Sequence, residues 1–472
     1  MKKIFLFLAI SLFSIPAMHA VVTWNGTTSK IWTQGTGTAA DPYLIETPAN
    51  LAYLSAQVSA GNTYTGVYFL QTEDFNLNSK TWKPIGSDTY KFSGIYDGGN
   101  KYISNPTESL FGHINNATIQ NLILQGNELS KMLTYSDLIT ACLVKCTYGE
   151  CQLINCHNKI ESMDITYNNG DSKDGFVGGL VGCAKGSKLE MIQCSNASIF
   201  YHTKLSSYSS MTYFGGLLGG ASSGEIYIDK CYNTSKSIVN SGYAQSASLA
   251  GDLSGASNIL MQRSYSKGDA NMAFILYGNG AIKGCYHIGN INNNYYSGGN
   301  RITAITTKNA IKSNCYVVLS NYSSQEGWGN KTTFCFQTGG DLENGTYLSN
   351  EQMKQSSFLP MLNTLGDYFT MDLEGINDGY PILKWQAGPR YTITGSCDAN
   401  RGTVEGGGEY APGNTATLTA TPKKGCTFIG WSDGNTDNPR TVTVGGDATY
   451  IAQFTKSNYT IYVNQDCTSY IE

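Results

Sequence analysis

FVGGLVGCAKGSKLEMIQCSN, residues 176–196, is answered by FGGLLGGASSGEIYIDKCYNT, residues 214–234. Each stretch runs Gly-Gly-Leu, one residue, Gly, then a short apolar segment and Cys-x-Asn. A frame laid over the neighbouring apolar runs places Leu143, Leu180, Leu217 and Leu253 at intervals of 37, 37 and 36 residues. Behind each, at 11 to 14 residues, stand Cys156, Cys194, Cys231 and Ser264. Shorter units extend the array both ways: NATIQNLILQGN puts Leu122 in the cysteine slot, AIKGCYHIGN puts Cys285 there and IKSNCYVVLS puts Cys315 there. Each unit offers a strand, a Gly- or Ser-containing turn, a second strand, an Asn-rich corner and a third, less regular strand. Helical periodicity is missing throughout. Units of this kind bury an apolar face only by stacking, so the echo predicts successive coils of a right-handed parallel β-helix. Glycines at the corners would supply positive φ and close approach between coils.

Composition agrees. Charged residues are 14% of the 472-residue chain, against 53 Gly and 32 Tyr, a balance of repetitive β architectures rather than helical ones. The formal net charge of −4 leaves no basic field for nucleic acid or an anionic bilayer. Lys2 and Lys3, the apolar run Ile4–Ile15, and Ala17 and Ala20 read as a secretory signal peptide over 1–20. Its first following cysteine is Cys142, which argues against a lipid anchor, and no later stretch is apolar enough to be a transmembrane segment. The mature chain is expected to be secreted and associated with the outer membrane or cell surface.

Residues 21–108 read as an N-terminal cap and first strands. TPANLAYLSAQVSAG (47–61) has Thr47 as N-cap, Pro48 at the first helical position and Gly61 as a stop. GVYFLQTEDFNLN and KFSGIYDGGNKYISN read as strands, the second broken by the Asp-Gly-Gly-Asn turn at 97–100. The repeat β-helix then occupies 109–388, closed by a helix over 349–366 and a strand at PILKW (381–385), which together cover its open end. Composition shifts again at Gly388-Pro389. YTITGSCDANRGTVEGGG, from Tyr391, is echoed by YTIYVNQDCTSYIE, from Tyr459, so 389–458 reads as one small β-rich module and 459–472 as the start of a second. That truncated copy suggests a fragment of a longer protein.

Three sets of residues carry resemblances. GTGTAADPYLIETPANLAYLSAQV resembles the opening of many secreted and surface proteins of the Bacteroides group. FVGGLVGCAKGSKLEMIQCSN and its relatives resemble GLUG-motif repeats, although the third copy reads LAGDLSGASN and later ones lose the double glycine. YTITGSCDANRGTVEGGGEYAPGNTATLTATPKKGCTFIGWSDG resembles the divergent InlB B-repeat. These resemblances imply surface location and adhesive or scaffolding roles; they imply neither a particular ligand nor catalytic residues.

Thirteen cysteines in an exported chain suggest disulfides, yet most stand in repeat register. Stacked at about 4.8 Å with parallel Cβ vectors they are poorly set for bridging, and Leu122, Cys156, Cys194, Cys231, Ser264, Cys285 and Cys315 read instead as a structural ladder. Cys142, Cys146 and Cys151 form a separate group in which a local disulfide is the alternative. No metal site or cofactor is expected, since paired CxxC elements and HExxH are lacking. Gly220-Ala221-Ser222-Ser223-Gly224 matches GxSxG, but in a glycine-rich turn rather than a strand–turn–helix. Among carboxylates, Asp171 and Asp174 are the nearest pair, with Asp252 and Asp269 further on; turn formation accounts for the first two. Tyr208, Tyr213, Tyr295 and Tyr296 lie in polar, loop-like settings, where a flat apolar face with a polar tip suits sugars or proteins. Trp431 reads as the aromatic centre of the small module. The sequons at Asn116, Asn196 and Asn233 reflect an Asn/Thr-rich composition.

The expectation is therefore an exported, non-enzymatic, adhesin-like or scaffolding protein that binds host glycans, glycoproteins or matrix proteins through extended surface and multivalency. The alternatives are a β-helix polysaccharide lyase or glycoside hydrolase using Asp171 or Asp174, and a passive surface spacer.

Overall fold

The computed structural model describes residues 21–134, 137–167, 173–204, 211–235, 237–239, 244–268, 270, 274–278, 280–288, 311–313, 315–317, 350–457, 461–463 and 469–471. The chain divides into two compact units, Met1–Asn350 and Glu351–Glu472.

The first unit is a β-solenoid. In its longest sheet Thr118–Leu133 lies between Ile95–Ser104 and Glu150–Tyr167. Beyond these the sheet continues through Lys188–Ile192, Glu225–Asp229, Asn258–Gln262, Ala281–Lys283 and Ile311–Ser313. A second sheet stacks Phe111–Asn115, Val144–Tyr148, Val181–Ala184, Leu218–Ala221, Ala250–Asp252 and Ile275–Tyr277. A shorter third one stacks Ile139–Ala141, Gly175–Gly178, Thr212–Gly215 and Ala244–Ala247. All these pairings are parallel, and each strand meets the equivalent strand one circuit later, which is the stacking of coils. Register turns single residues into columns. Ile119, Leu153, Met191, Ile228, Met261 and Ile282 form one, all buried. Each such side chain contributes about 1.5–3 kcal/mol on burial.

The main corner is made differently from the expectation of corner glycines. Asn121, Asn155, Gln193, Lys230 and Arg263 have φ of 52°, 53°, 55°, 53° and 47°, and only the next coil uses glycine, Gly284 at 57°. One left-handed residue turns the strand and sends the following side chain inward: Leu122, Cys156, Cys194, Cys231, Ser264 and Cys285 each follow one. The corner side chains themselves are polar and stay outside, where a long or amide side chain is tolerated at a backbone cost. The frame needs one further correction. Leu217 N–H bonds Leu249 O at 2.8 Å, so Leu249, not Leu253, is the counterpart of Leu217, and that coil is shorter than its predecessors.

At the N-terminal side the helix Pro48–Ser59 forms with Thr47 as its cap, and it buries Leu51, Leu54 and Val58. The Thr47 hydroxyl accepts from Asn50 N–H at 3.3 Å, while Asn50 Oδ1 accepts from Thr47 N–H at 3.0 Å. The Asp-Gly-Gly-Asn segment is a coil corner inside the strand Ile95–Ser104, with a register shift between Asp97 and Lys101.

In the second unit the expected helix over 349–366 is broken into Asn350–Met353 and Leu359–Leu362, with 3₁₀ turns at Ser356–Phe358 and Asn363–Leu365. Pro360 lacks the amide that a continuous helix would need, and it opens a new turn instead. Phe369–Thr370 pairs antiparallel with Ile382–Leu383. The small module sets a four-stranded sheet, ordered Gly408–Tyr410, Tyr391–Cys397, Ala448–Lys456, Cys426–Trp431, beside a three-stranded one of Gly402–Glu405, Thr415–Pro422 and Arg440–Thr443. Its core holds Ile393, Leu418, Trp431, Val444 and Phe454. The Trp431 indole N–H donates to Asp437 O at 2.8 Å, and Arg440 lies 4.2 Å from the Tyr450 ring while bonding both Asp433 oxygens at 2.7 and 2.8 Å.

Candidate functional site

The inward corner column fills the cysteine slot of the repeated stretches 176–196 and 214–234. Leu122, Cys156, Cys194, Cys231, Ser264, Cys285 and Cys315 are buried at 1% exposure or less. Their polar atoms are used locally: Cys156 Sγ meets Ile119 O at 3.4 Å, Cys194 N–H points to Cys231 Sγ at 3.3 Å, and Cys231 N–H donates to Ser264 Oγ at 3.1 Å. Every cysteine among the described residues is a free thiol. Burial pushes the thiols of Cys156, Cys231 and Cys285 well above the ordinary cysteine range, so none of these three is a nucleophile at neutral pH.

Two residues further along each coil, buried asparagines form a second column. Asn158 Nδ2 donates to Asn196 Oδ1 at 2.7 Å, and Asn196 Nδ2 donates to Asn233 Oδ1 at 3.1 Å. The double glycine makes room for these amides. A Cβ on Gly179 would lie 2.3 Å from Asn196 Cγ, and one on Gly216 would lie 2.3 Å from Asn233 Cγ. Gly-Gly and Cys-x-Asn therefore recur together because they touch. The run stops at Asn233, whose Nδ2 has no acceptor among the described residues. The next coil offers Ser266, whose hydroxyl sits 2.8 Å from His287 Nδ1. Sequence reasoning missed this column, although the pairing of Gly-Gly with Asn was the signal for it.

Outside, two walls of side chains meet where the third sheet turns into the second. On one wall Ile139, Phe176 and Tyr213 stand in register, and the rings of half-buried Phe176 and Tyr213 stack at 5.9 Å and 25°. Phe176 passes so close to Gly220 that a Cβ there would lie 2.3 Å from its Cδ1. On the other wall His113, Cys146, Cys183, Gly220 and Asp252 are in register. Asp88 closes the edge, accepting from Tyr148 Oη at 3.1 Å and lying 3.3 Å from His113 Nδ1, with Lys91 Nζ 4.5 Å over the Tyr148 ring. Lys145 pairs with Asp137, which together with Glu108 also holds Lys131. Burial, helped by Lys145, holds His113 down at about 4. Burial pushes Cys146 up to about 11 and Cys183 up to about 12. At neutral pH this corner thus presents a largely buried neutral imidazole, paired lysines and two stacked rings, while its protonated thiols are buried at 1% exposure. It is equipped to stack and to hydrogen-bond, and its thiols are not activated.

Of the tyrosines expected to bind, Tyr213 lies on this ledge, while Tyr208, Tyr295 and Tyr296 lie outside the described residues, as do Asp171 and Asp269. Asp174 accepts from Met211 N–H at 2.8 Å, and Asp252 from Ser254 N–H at 2.9 Å, so both carboxylates serve local backbone. Ser222 of the GxSxG match sits at a bend before Gly224 (φ 81°), with no helix following. Cys142, Cys146 and Cys151 do not form a group: Cys142 accepts from Asn158 Nδ2 at 3.1 Å, Cys146 belongs to the outer corner and Cys151 is in register with Leu189. Among the described residues, no three His, Cys, Asp or Glu side chains are arranged to hold a metal ion.

Fold and site together define an all-β solenoid protein carrying a separate small β-rich module. Residues 391–458 match the divergent InlB B-repeat domain. No curated protein matches the chain. Among solved structures, the chain is similar to a protein from Bacteroides ovatus provisionally named an immunoglobulin A1 protease. The identity is 13%, the TM-score 0.42, and the match covers 75% of this chain and 95% of that one. A structure named IgA1 protease matches at 18% identity and TM-score 0.38, covering 63% of this chain and 22% of that one. The expectation of a non-enzymatic chain is corrected here. Both similar structures bear the names of enzymes, so denying catalysis has no support from the fold, and a likeness at this level assigns no activity either.

Proposed function

We propose that this chain is an exported, surface-associated protein whose solenoid binds host glycoprotein or polysaccharide along its outer corner, in the manner of an adhesin. The observation that carries the reading is the stacked pair Phe176 and Tyr213, projected from equivalent positions of consecutive coils, with Phe176 against Gly220 in the row that begins at His113. Side chains repeated at coil spacing match an extended, repetitive ligand, and aromatic faces with polar neighbours suit sugars and protein surfaces. The basic, then apolar, N-terminal segment and the B-repeat module support export and surface placement. GLUG-type coils would supply the length over which several weak contacts add.

The test uses the full chain, immobilised and exposed to a panel of host glycoproteins and polysaccharides. Saturable binding is expected, weakened at least ten-fold by the double change Phe176→Ser/Tyr213→Ser with the melting temperature held. Unchanged binding by that variant would remove the outer corner from the proposal.

A further inference from the structure

A second cluster of aromatic side chains lies beside the N-terminal helix. Trp32 is its hub: the rings of Tyr43, Tyr53, Tyr64 and Phe69 lie 5.1, 5.3, 5.9 and 5.2 Å from it, centre to centre. Phe69 is buried and anchors the group, whereas Trp32 and the three tyrosines are half-buried.

Elsewhere in the chain, core aromatics use their polar tips. Trp24 donates to Thr28 O at 2.8 Å, Trp82 to Leu110 O at 3.1 Å, Trp431 to Asp437 O at 2.8 Å, and Tyr96 Oη to Gln71 Oε1 at 2.9 Å. The Trp32 cluster differs. Neither its indole N–H nor any of the three phenolic hydroxyls bonds a described residue, and none of these four atoms is sealed from solvent. The backbone adds an independent observation: Tyr64 has φ 59°, a left-handed conformation that a bulky residue rarely takes. Such outliers gather where a side chain is held for a purpose, and this one holds the Tyr64 ring edge-on to Phe69, 5.2 Å away. The Tyr64 phenol is pushed up to about 12 by burial first, then by the phenols of Tyr53 and Tyr43, with no ammonium or carboxylate contributing.

We propose that Trp32, Tyr43, Tyr53 and Tyr64 form a binding site for an uncharged saccharide, a neutral hexopyranose unit lying against the aromatic faces with its hydroxyls taken by the phenols and the indole N–H. Aromatic faces match the C–H face of a pyranose, and phenols grouped around one indole offer donors and acceptors to its hydroxyls. A uronate or sialate would need a cation, which the cluster lacks. A quaternary ammonium would need an enclosed cage, whereas here Tyr43 already lies over Trp32 at 38°. The ligand class is shared with the adhesin reading, but the residues are not, so the two stand or fall separately.

Isothermal titration of the full chain with maltohexaose, mannopentaose, cellopentaose, sialyllactose and phosphocholine tests the site. Saturable binding of at least one neutral oligosaccharide is expected. It should weaken at least ten-fold in Tyr43→Phe/Tyr53→Phe/Tyr64→Phe and survive Phe176→Ser/Tyr213→Ser. Tyr53→Phe alone, on the helix Pro48–Ser59, supplies a milder variant should the triple change fail to fold, with a loss of at least three-fold expected. Binding of none of the neutral oligosaccharides, binding of only the sialylated or cationic probe, or a folded phenylalanine variant that binds as the parent does would each overturn the proposal.

Discussion

Gly179 has no room for a side chain. A Cβ there would lie 2.2 Å from Gly216 O as well as 2.3 Å from Asn196 Cγ. The chain performs the compensating experiment itself: Ser248 occupies the register position of Gly216 in the coil where Ser266 occupies that of Asn233. Small opposite large is exchanged for medium opposite medium. Gly179→Ser is therefore expected to destabilise by about 3 kcal/mol through overpacking, and Asn196→Ser by about 1–3 kcal/mol through lost amide bonds. The double variant should lose at least about 1 kcal/mol less than the sum. Strict additivity in denaturant melts would show that the two positions do not constrain one another.

At the scale of the coil, the inward slot was legible and the corner was not. Cys156, Cys194 and Cys231 repeat because an inward position accepts few side chains. The left-handed residue before each is Asn, Gln, Lys or Arg, since outside the coil any polar side chain serves, and sequence alone shows no pattern there. This predicts that Gln193→Gly stabilises the chain by about 0.5–1 kcal/mol, the relief of a left-handed side chain less the entropy glycine adds to the unfolded state. A lower melting temperature would count against that account of the corner. The register slip at Leu249 was hidden because its coil lacks Gly-Gly. The outer corner was hidden more deeply: Asp88, His113 and Tyr148 come from separate turns of the chain, and only the parallel register brings them together. Tyr213 alone showed in the sequence, as a tyrosine before a core strand. The Trp32 cluster passed unnoticed because its members, spread over residues 32–69, read individually as cap and strand residues.

For the molecule as a whole, the two units carry acid-sensitive groups that act in different windows. In the solenoid, burial holds His113 at about 4, below its ordinary 6.5, so the unfolded chain takes up the proton first as pH falls. The stability this gives is complete above pH 6.5 and is lost as pH falls from 6.5 toward 4. In the small module, hydrogen bonds from Arg440 bring Asp433 down to about 2 from 3.8, so its contribution is complete above about pH 4 and fades as pH falls toward 2. Calorimetry from pH 7 to pH 3 is expected to show the solenoid weakening first, with His113→Gln flattening that first slope, while Asp433→Asn lowers the module's stability above about pH 4 and differs less and less from the parent as pH falls below that. A solenoid whose melting is level between pH 6.5 and 4.5 would contradict this.

The asparagine column has a direction as well as a length. From Asn158 to Asn233 each amide gives its N–H to the next coil, and the last of them gives to nothing among the described residues. An unanswered donor in a dry interior is a step in an otherwise even ladder, and in a structure whose coils hold only their neighbours such a step is a boundary between cooperative blocks. Amide protons on the coils up to Asn233 should exchange as one slow group, and those from Ser266 onward as another, faster one. The double-glycine echo thus marks the stretch of the solenoid that opens last.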